Sequence, residues 1–176
     1  AGVPELFRVA ADGSAGPQKL STPPVAGGGV TAFELTPDGS RVVYLSDRDV
    51  DNVFELYAVP SDASAPALEL NPPLVAGGDV THFLVTPDSA FVVYRADQAD
   101  DQTFELFRVP IGGGATVALT VALPADRAVQ ADFVLSPDGQ SVYFRANPAG
   151  AGRNELFRVP ADGSAAPAVL SGTLVA

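Results

Sequence analysis

A chain of 176 residues that is 47% hydrophobic is long enough to bury a core, and its 17 Gly and 16 Pro, spread along the chain without forming a low-complexity tract, announce many turns. Its 21 acidic residues against 10 basic ones give a formal net charge of −11, which repels phosphate backbones and anionic membrane surfaces, so nucleic acid is not an expected partner. Cysteine is absent, which excludes disulfides, thiol catalysis and thiolate-bound metal, and no apolar run approaches the ~20 residues of a membrane-spanning helix.

The first element is ELFRV at residues 5–9, and it returns as ELYAV at 55–59 and as ELFRV at 105–109 and 155–159. A second marker keeps the same interval of about 50 residues: TPDGS at 36–40, TPDSA at 86–90 and SPDGQ at 136–140. VAGG at 25–28 and 75–78 is a third.

Laid over one another, the units show four strand-like stretches. The first reads VTAFEL, VTHFLV and QADFVL at 30–35, 80–85 and 130–135, each ending at a Pro-Asp turn. The second starts at residues 41, 91 and 141 with RVVYL, FVVYR and SVYFR, and its near-continuous apolar run predicts a strand covered on both faces. The third is the ELFRV stretch, closed by Pro60, Pro110 or Pro160 and followed by turns such as ADGS and IGGG. The fourth, PQKL, PALEL, TVALT and PAVL, carries prolines that place it at an outer edge, where a missing amide costs least. No segment has a helical period.

Four antiparallel strands per unit, stacked on their neighbours, predict an all-β chain forming one β-propeller domain over 1–176. Its repeats are 30–79, 80–129 and 130–176, with 1–29 supplying the outer half of a further blade. Such a half-blade leaves unpaired backbone and an apolar face. Cover is expected from more of the same polypeptide, another copy or a distinct protein. Because residue 1 is not Met and the chain stops at Ala176, where the next inner strand is due, either a removed leader or a longer parent is expected.

The run TPDGSRVVYLSDRDVDNVFELYAVPSDASAPALEL resembles the blade repeat of TolB-type propellers, with its Ser/Thr-Pro-Asp-Gly turn, apolar strand, SDRD loop and ELY strand. Departures are Ser89 in place of the turn glycine and ANPAGAGRN at 146–154 in place of the acidic loop. The resemblance implies a non-catalytic protein-binding or scaffold role in the bacterial cell envelope, periplasm or extracellular space. An alternative it implies is an accessory domain like the propellers that gate prolyl-oligopeptidase-type hydrolases. A self-assembling structural protein is the third reading.

For sites, Asp47, Asp49 and Asp51 alternate as hard-oxygen calcium loops do, and form the candidate metal site; the glycine such loops use is missing. The second unit has Asp97, Asp100 and Asp101 in another spacing. Asp38, Asp88 and Asp138 are expected to accept backbone amides two residues on. Glu5, Glu55, Glu105 and Glu155 open the third strands, with Arg8, Arg108 and Arg158 on the opposite face, and Arg95 and Arg145 are expected to pair with such carboxylates. His82 is the one histidine, with no nucleophile motif beside it. No catalytic residues and no cofactor are expected, and the partner is a protein or a second copy.

Overall fold

The computed structural model describes residues 2–120, 129–147 and 154–171. All regular structure in them is antiparallel sheet. The first sheet has two short strands, β1 (Phe7–Arg8) and β2 (Gln18–Lys19). Three four-stranded sheets follow: β3 (Val30–Leu35), β4 (Arg41–Ser46), β5 (Glu55–Pro60) and β6 (Leu68–Glu69); β7 (Val80–Val85), β8 (Phe91–Ala96), β9 (Glu105–Pro110) and β10 (Val117–Ala118); β11 (Val129–Leu135), β12 (Ser141–Ala146), β13 (Glu155–Pro160) and β14 (Ala168–Val169). In each the strands lie in chain order, a meander. The alternative loop at 146–154 lies mainly, and the chain end at 172–176 wholly, outside the described residues.

Local chemistry dictates this pattern. In each Pro-Asp turn the carboxylate of Asp38, Asp88 or Asp138 accepts the amide two residues on, at 2.9–3.0 Å, and a Thr or Ser hydroxyl two residues before it. The residue after the aspartate has positive φ: Gly39 (70°), Ser89 (59°) and Gly139 (70°). Ser89 occupies a conformation that favours glycine, and its hydroxyl accepts the Asp38 amide of the preceding blade at 3.0 Å, a contact glycine lacks.

The sheets pack face to face, and the core lies between them. Val43, Leu45, Leu56 and Leu70 of one sheet meet Phe83, Val85, Tyr94 and Val109 of the next. Val93, Leu106 and Leu119 then meet Phe133, Val142, Phe144 and Phe157. That two-sided burial explains the continuous apolar run: all but the first residue of β4 and of β8 is buried, whereas Tyr143 and Arg145 in β12 are not, because no described sheet covers that face. Across each inner pair an aromatic ring stacks on its neighbour in the third strand, Tyr44 on Tyr57, Tyr94 on Phe107 and Phe144 on Phe157, with centroids 5.4–5.5 Å apart.

A polar clamp recurs at the outer edge. The amides of Leu6, Leu56, Leu106 and Leu156 donate to the side chains of Ser21, Asn71, Thr120 and Ser171. Each clamp satisfies an amide just beyond the two-residue outer strand, which is too short to reach it.

Candidate functional site

The alternating aspartates of the first acidic loop have three separate roles. Asp47 is buried; one carboxylate oxygen accepts the Gly29 amide at 2.7 Å and the other the Asn52 amide at 3.0 Å. Asp49 is exposed and faces Arg48 and the Tyr57 hydroxyl, at 3.1 Å each. Asp51 is exposed and lies against Gly27. Asp97 repeats the Asp47 arrangement with the amides of Asp79 and Gln102, while Asp100 and Asp101 stay on the surface. The loop therefore wraps its first aspartate, with Asn52 (φ 62°) and Gln102 (φ 67°) turning left-handed so that their amides point inward.

Among the described residues, the acidic group whose carboxylate oxygens lie within 4.8 Å of one another is Asp49, Glu55 and Glu69. Glu55 opens β5 and Glu69 ends β6, where the ladder pairs it with Tyr57. The Tyr57 hydroxyl donates to Glu55 at 2.5 Å, and Arg48 lies over the Tyr57 ring at 3.8 Å. Burial and then the neighbouring Glu55 push the Tyr57 hydroxyl far above its ordinary range. Burial and then Glu55 also raise Glu69. This trio escapes a reading of the loop alone because Glu69 arrives from another strand, and the other fourth strands have no acid at that place.

The remaining predicted charges hold the structure together. Arg95 and Arg145, expected to pair with third-strand carboxylates, do not. Arg95 donates to the Val129 carbonyl of the next sheet at 2.8 Å and to the Thr81 hydroxyl at 2.7 Å, with its guanidinium 3.7 Å above the Phe104 ring. Arg145, with no described sheet beyond it, pairs with Asp132 across its own hairpin at 2.7 Å. Glu5 pairs with Lys19, and Arg8 donates to Gln18 and across to the Ser61 carbonyl. Arg108 lies 3.3 Å over the Phe91 ring, and Arg158 donates to the Ser141 hydroxyl at 2.9 Å. Glu105 is half-buried, which raises its carboxyl, and Glu155 lies at the matching start of β13.

His82 is exposed on β7, edge-on to the Phe133 ring at 5.2 Å. It borders a cavity of about 380 Å³ shared with Phe33, Glu34, Thr81 and Leu84, between two inner strands. Burial raises the Glu34 carboxyl there.

Large apolar side chains are exposed at both ends of the stack. Phe33 is 66% exposed and Leu35 55%, whereas Phe83 and Val85 at the matching places are 6% and 7% exposed. Phe7 and Val9 of the half-blade are exposed as well, and in the last sheet Val134, Leu156 and Leu170 are open.

No family model and no curated protein matches the chain. Solved structures do. A protein described as TolB from Agrobacterium tumefaciens is 22% identical with a TM-score of 0.61, over 97% of this chain and 55% of that one. An oligogalacturonate lyase in complex with manganese is 17% identical with a TM-score of 0.64, over 95% and 47%. A prolyl endopeptidase is 15% identical with a TM-score of 0.61, over 91% and 25%. The chain thus spans between a quarter and just over half of the structures it resembles. Its stacked four-stranded meanders, repeated turns and these likenesses together make it a TolB-like β-propeller fold, not closed into a ring by the described blades.

Proposed function

We propose that this chain is a non-catalytic protein-binding or scaffold module of TolB-like propeller type, placed in the bacterial cell envelope or outside the cell. The observation that carries this reading is the pair of open apolar ends: Phe7, Val9, Phe33 and Leu35 on one, Val134, Leu156 and Leu170 on the other. Large apolar side chains grouped on one surface are what protein interfaces use, and covering each is worth roughly 1.5–3 kcal/mol. The likeness to TolB supports the cell-envelope placement.

Self-assembly is the second reading, favoured by the fact that Leu156 is open where Leu56 and Leu106 are buried against a following sheet. The likeness to a prolyl endopeptidase supports a third, an accessory propeller whose chemistry lies in other sequence. Solution mass by light scattering across a concentration series separates the first two: a monomer at every concentration supports the binding module, and a growing or discrete oligomer replaces it with self-assembly. A serine-elbow motif in sequence contiguous with this chain decides for the third.

A further inference from the structure

Consecutive sheets meet at an outer corner, where the fourth strand of one faces the third strand of the next and the loop that precedes it. Two such corners match position by position. In the first, the Arg48 carbonyl accepts the Val25 amide and Tyr57 stacks on Tyr44; in the second, the Gln98 carbonyl accepts the Val75 amide and Phe107 stacks on Tyr94. A cation fills the first corner. The Arg48 guanidinium lies 3.8 Å over the Tyr57 ring and donates to the Thr22 hydroxyl at 3.2 Å and to Asp49 at 3.1 Å. Glu55 accepts the Tyr57 hydroxyl, and Glu69 brings its carboxylate within 4.8 Å of those of Asp49 and Glu55.

The second corner carries a smaller side chain at each of these places. Gln98 stands for Arg48 and Phe107 for Tyr57, while Ala118, paired with Phe107 as Glu69 is with Tyr57, stands for Glu69. In the adjoining turn Gly113 and Gly114 replace Ala63 and Ser64. The result is a cavity of about 560 Å³ between two complete sheets, bordered by Leu68, Gln98, Phe107, Gly113, Thr116 and Ala118.

These substitutions also isolate Glu105. It holds the place of Glu55, but Phe107 has no hydroxyl to give it, and among the described residues its carboxylate has neither a hydrogen bond nor an ion pair. Burial raises it with nothing opposing. A half-buried carboxylate without a partner carries a desolvation cost that a cation relieves. Because Ala118 borders the cavity where Glu69 reaches toward Glu55 in the first corner, the cavity extends toward Glu105.

We propose that this corner, between β6 of one sheet and β9 and β10 of the next, binds the guanidinium of an arginine side chain carried by a partner polypeptide, packed on Phe107 and paired with Glu105. It rests on the reading of the chain as a protein-binding module and names the partner's chemistry. A guanidinium is the group the chain itself seats at the matching place, and its flat face suits an aromatic ring while its fork suits a carboxylate. Charge favours a polypeptide source. A free amino acid brings its own carboxylate to a chain of net charge −11, whereas an arginine within a peptide brings the cation alone.

The test titrates N-acetyl-arginine amide into the whole chain and follows backbone amide shifts by NMR. The expected result is saturable uptake of one probe per chain, with the largest shifts at Gln98, Glu105 and Phe107. Glu105→Gln is expected to weaken uptake by about tenfold or more, as loss of a charge-assisted bond does. Gln98→Arg, which installs the guanidinium of the first corner, is expected to abolish uptake without lowering the thermal unfolding midpoint. The proposal is overturned by no uptake, by undiminished uptake in either variant, or by equal uptake of the uncharged citrulline derivative. Tighter uptake of free arginine than of the blocked form overturns it in favour of a small-molecule site. Growth of the chain alone with concentration defeats the module reading, whereas a monomer that leaves the probe free defeats only this proposal.

Discussion

The carboxylate of Asp97 accepts the amide of Asp79 at 2.6 Å with one oxygen and that of Gln102 at 2.9 Å with the other, tying the start of the second blade's inner strand to the end of its neighbour. Asp97 is 1% exposed, so its removal leaves these amides without their acceptor. Asp97→Ala is expected to cost about 2–4 kcal/mol, as for two lost charge-assisted bonds. Asp97→Asn, which keeps one acceptor oxygen, is expected to cost about half as much. Urea unfolding measures both, and equal losses in the two variants count against the double-acceptor account.

The same division of labour predicts the response to metal. Each Asp47 oxygen already accepts a backbone amide, so turning its carboxylate onto an ion with Asp49 and Asp51 would compete with those two bonds. Thermal unfolding with calcium and then with a chelator is therefore expected to give one midpoint. A rise with calcium, abolished by Asp49→Asn, would move attention to the Asp49, Glu55 and Glu69 group.

Equivalent positions differ in cost according to what covers them. Phe83→Ala removes a ring packed between two sheets and is expected to cost about 3–5 kcal/mol. Phe33→Ala, at the matching place on the uncovered face, is expected to change stability by less than about 0.5 kcal/mol. Denaturant midpoints of the two variants check this, and similar losses would mean that Phe33 is covered in solution.

Arg95 and Arg145 form a second such pair. Arg95→Ala breaks two hydrogen bonds and a ring contact in a buried seam between blades, with an expected loss of about 2–4 kcal/mol. Arg145→Ala breaks an exposed, solvent-screened ion pair and is expected to leave the unfolding transition almost where it was. Calorimetric unfolding distinguishes them.

Two sets of carboxylates give stability opposite slopes in pH. The Thr36 hydroxyl and then the Ser40 amide hold Asp38 at about 2, and Asp88 and Asp138 are lowered by the same turn. A carboxyl lowered in the folded state contributes stability above its unfolded pKa of about 4, and that contribution disappears as pH falls toward about 2. Burial raises Glu34, Glu69, Asp79 and Glu105, so their ionisation penalises the fold, and protonation on descending from neutral pH relieves it. Stability is expected to rise gently as pH descends from neutrality and these raised carboxyls take up protons, and to fall below about 4 as the lowered ones do. A monotonic fall from neutrality would show that the buried carboxyls do not contribute.

Much of the fold is legible in the sequence because its causes are local. A Pro-Asp turn needs only its own hydroxyl, carboxylate and a residue that tolerates positive φ, and these sit within five positions of one another. The continuous apolar run of β4 and β8 reports two-sided burial directly. The outer clamp is also written there, as Ser21, Asn71, Thr120 and Ser171 following the leucine of each ELF or ELY stretch at a near-constant distance, but the use of three residue types, Ser, Asn and Thr, conceals it.

What tertiary structure alone decided is which repeated positions differ. Phe33 and Phe83, Arg95 and Arg145, and Val9 and Val59 occupy matching places in the repeat, and sequence treats each pair as alike. Their environments diverge because burial depends on whether a neighbouring sheet lies across the face, and that neighbour is contributed by residues far along the chain. The meeting of Glu69 with Asp49 and Glu55, and the bare edge of β1, arise in the same way. Periodicity determined the blade; the order and number of blades stacked on it decided which surfaces are core and which are exposed.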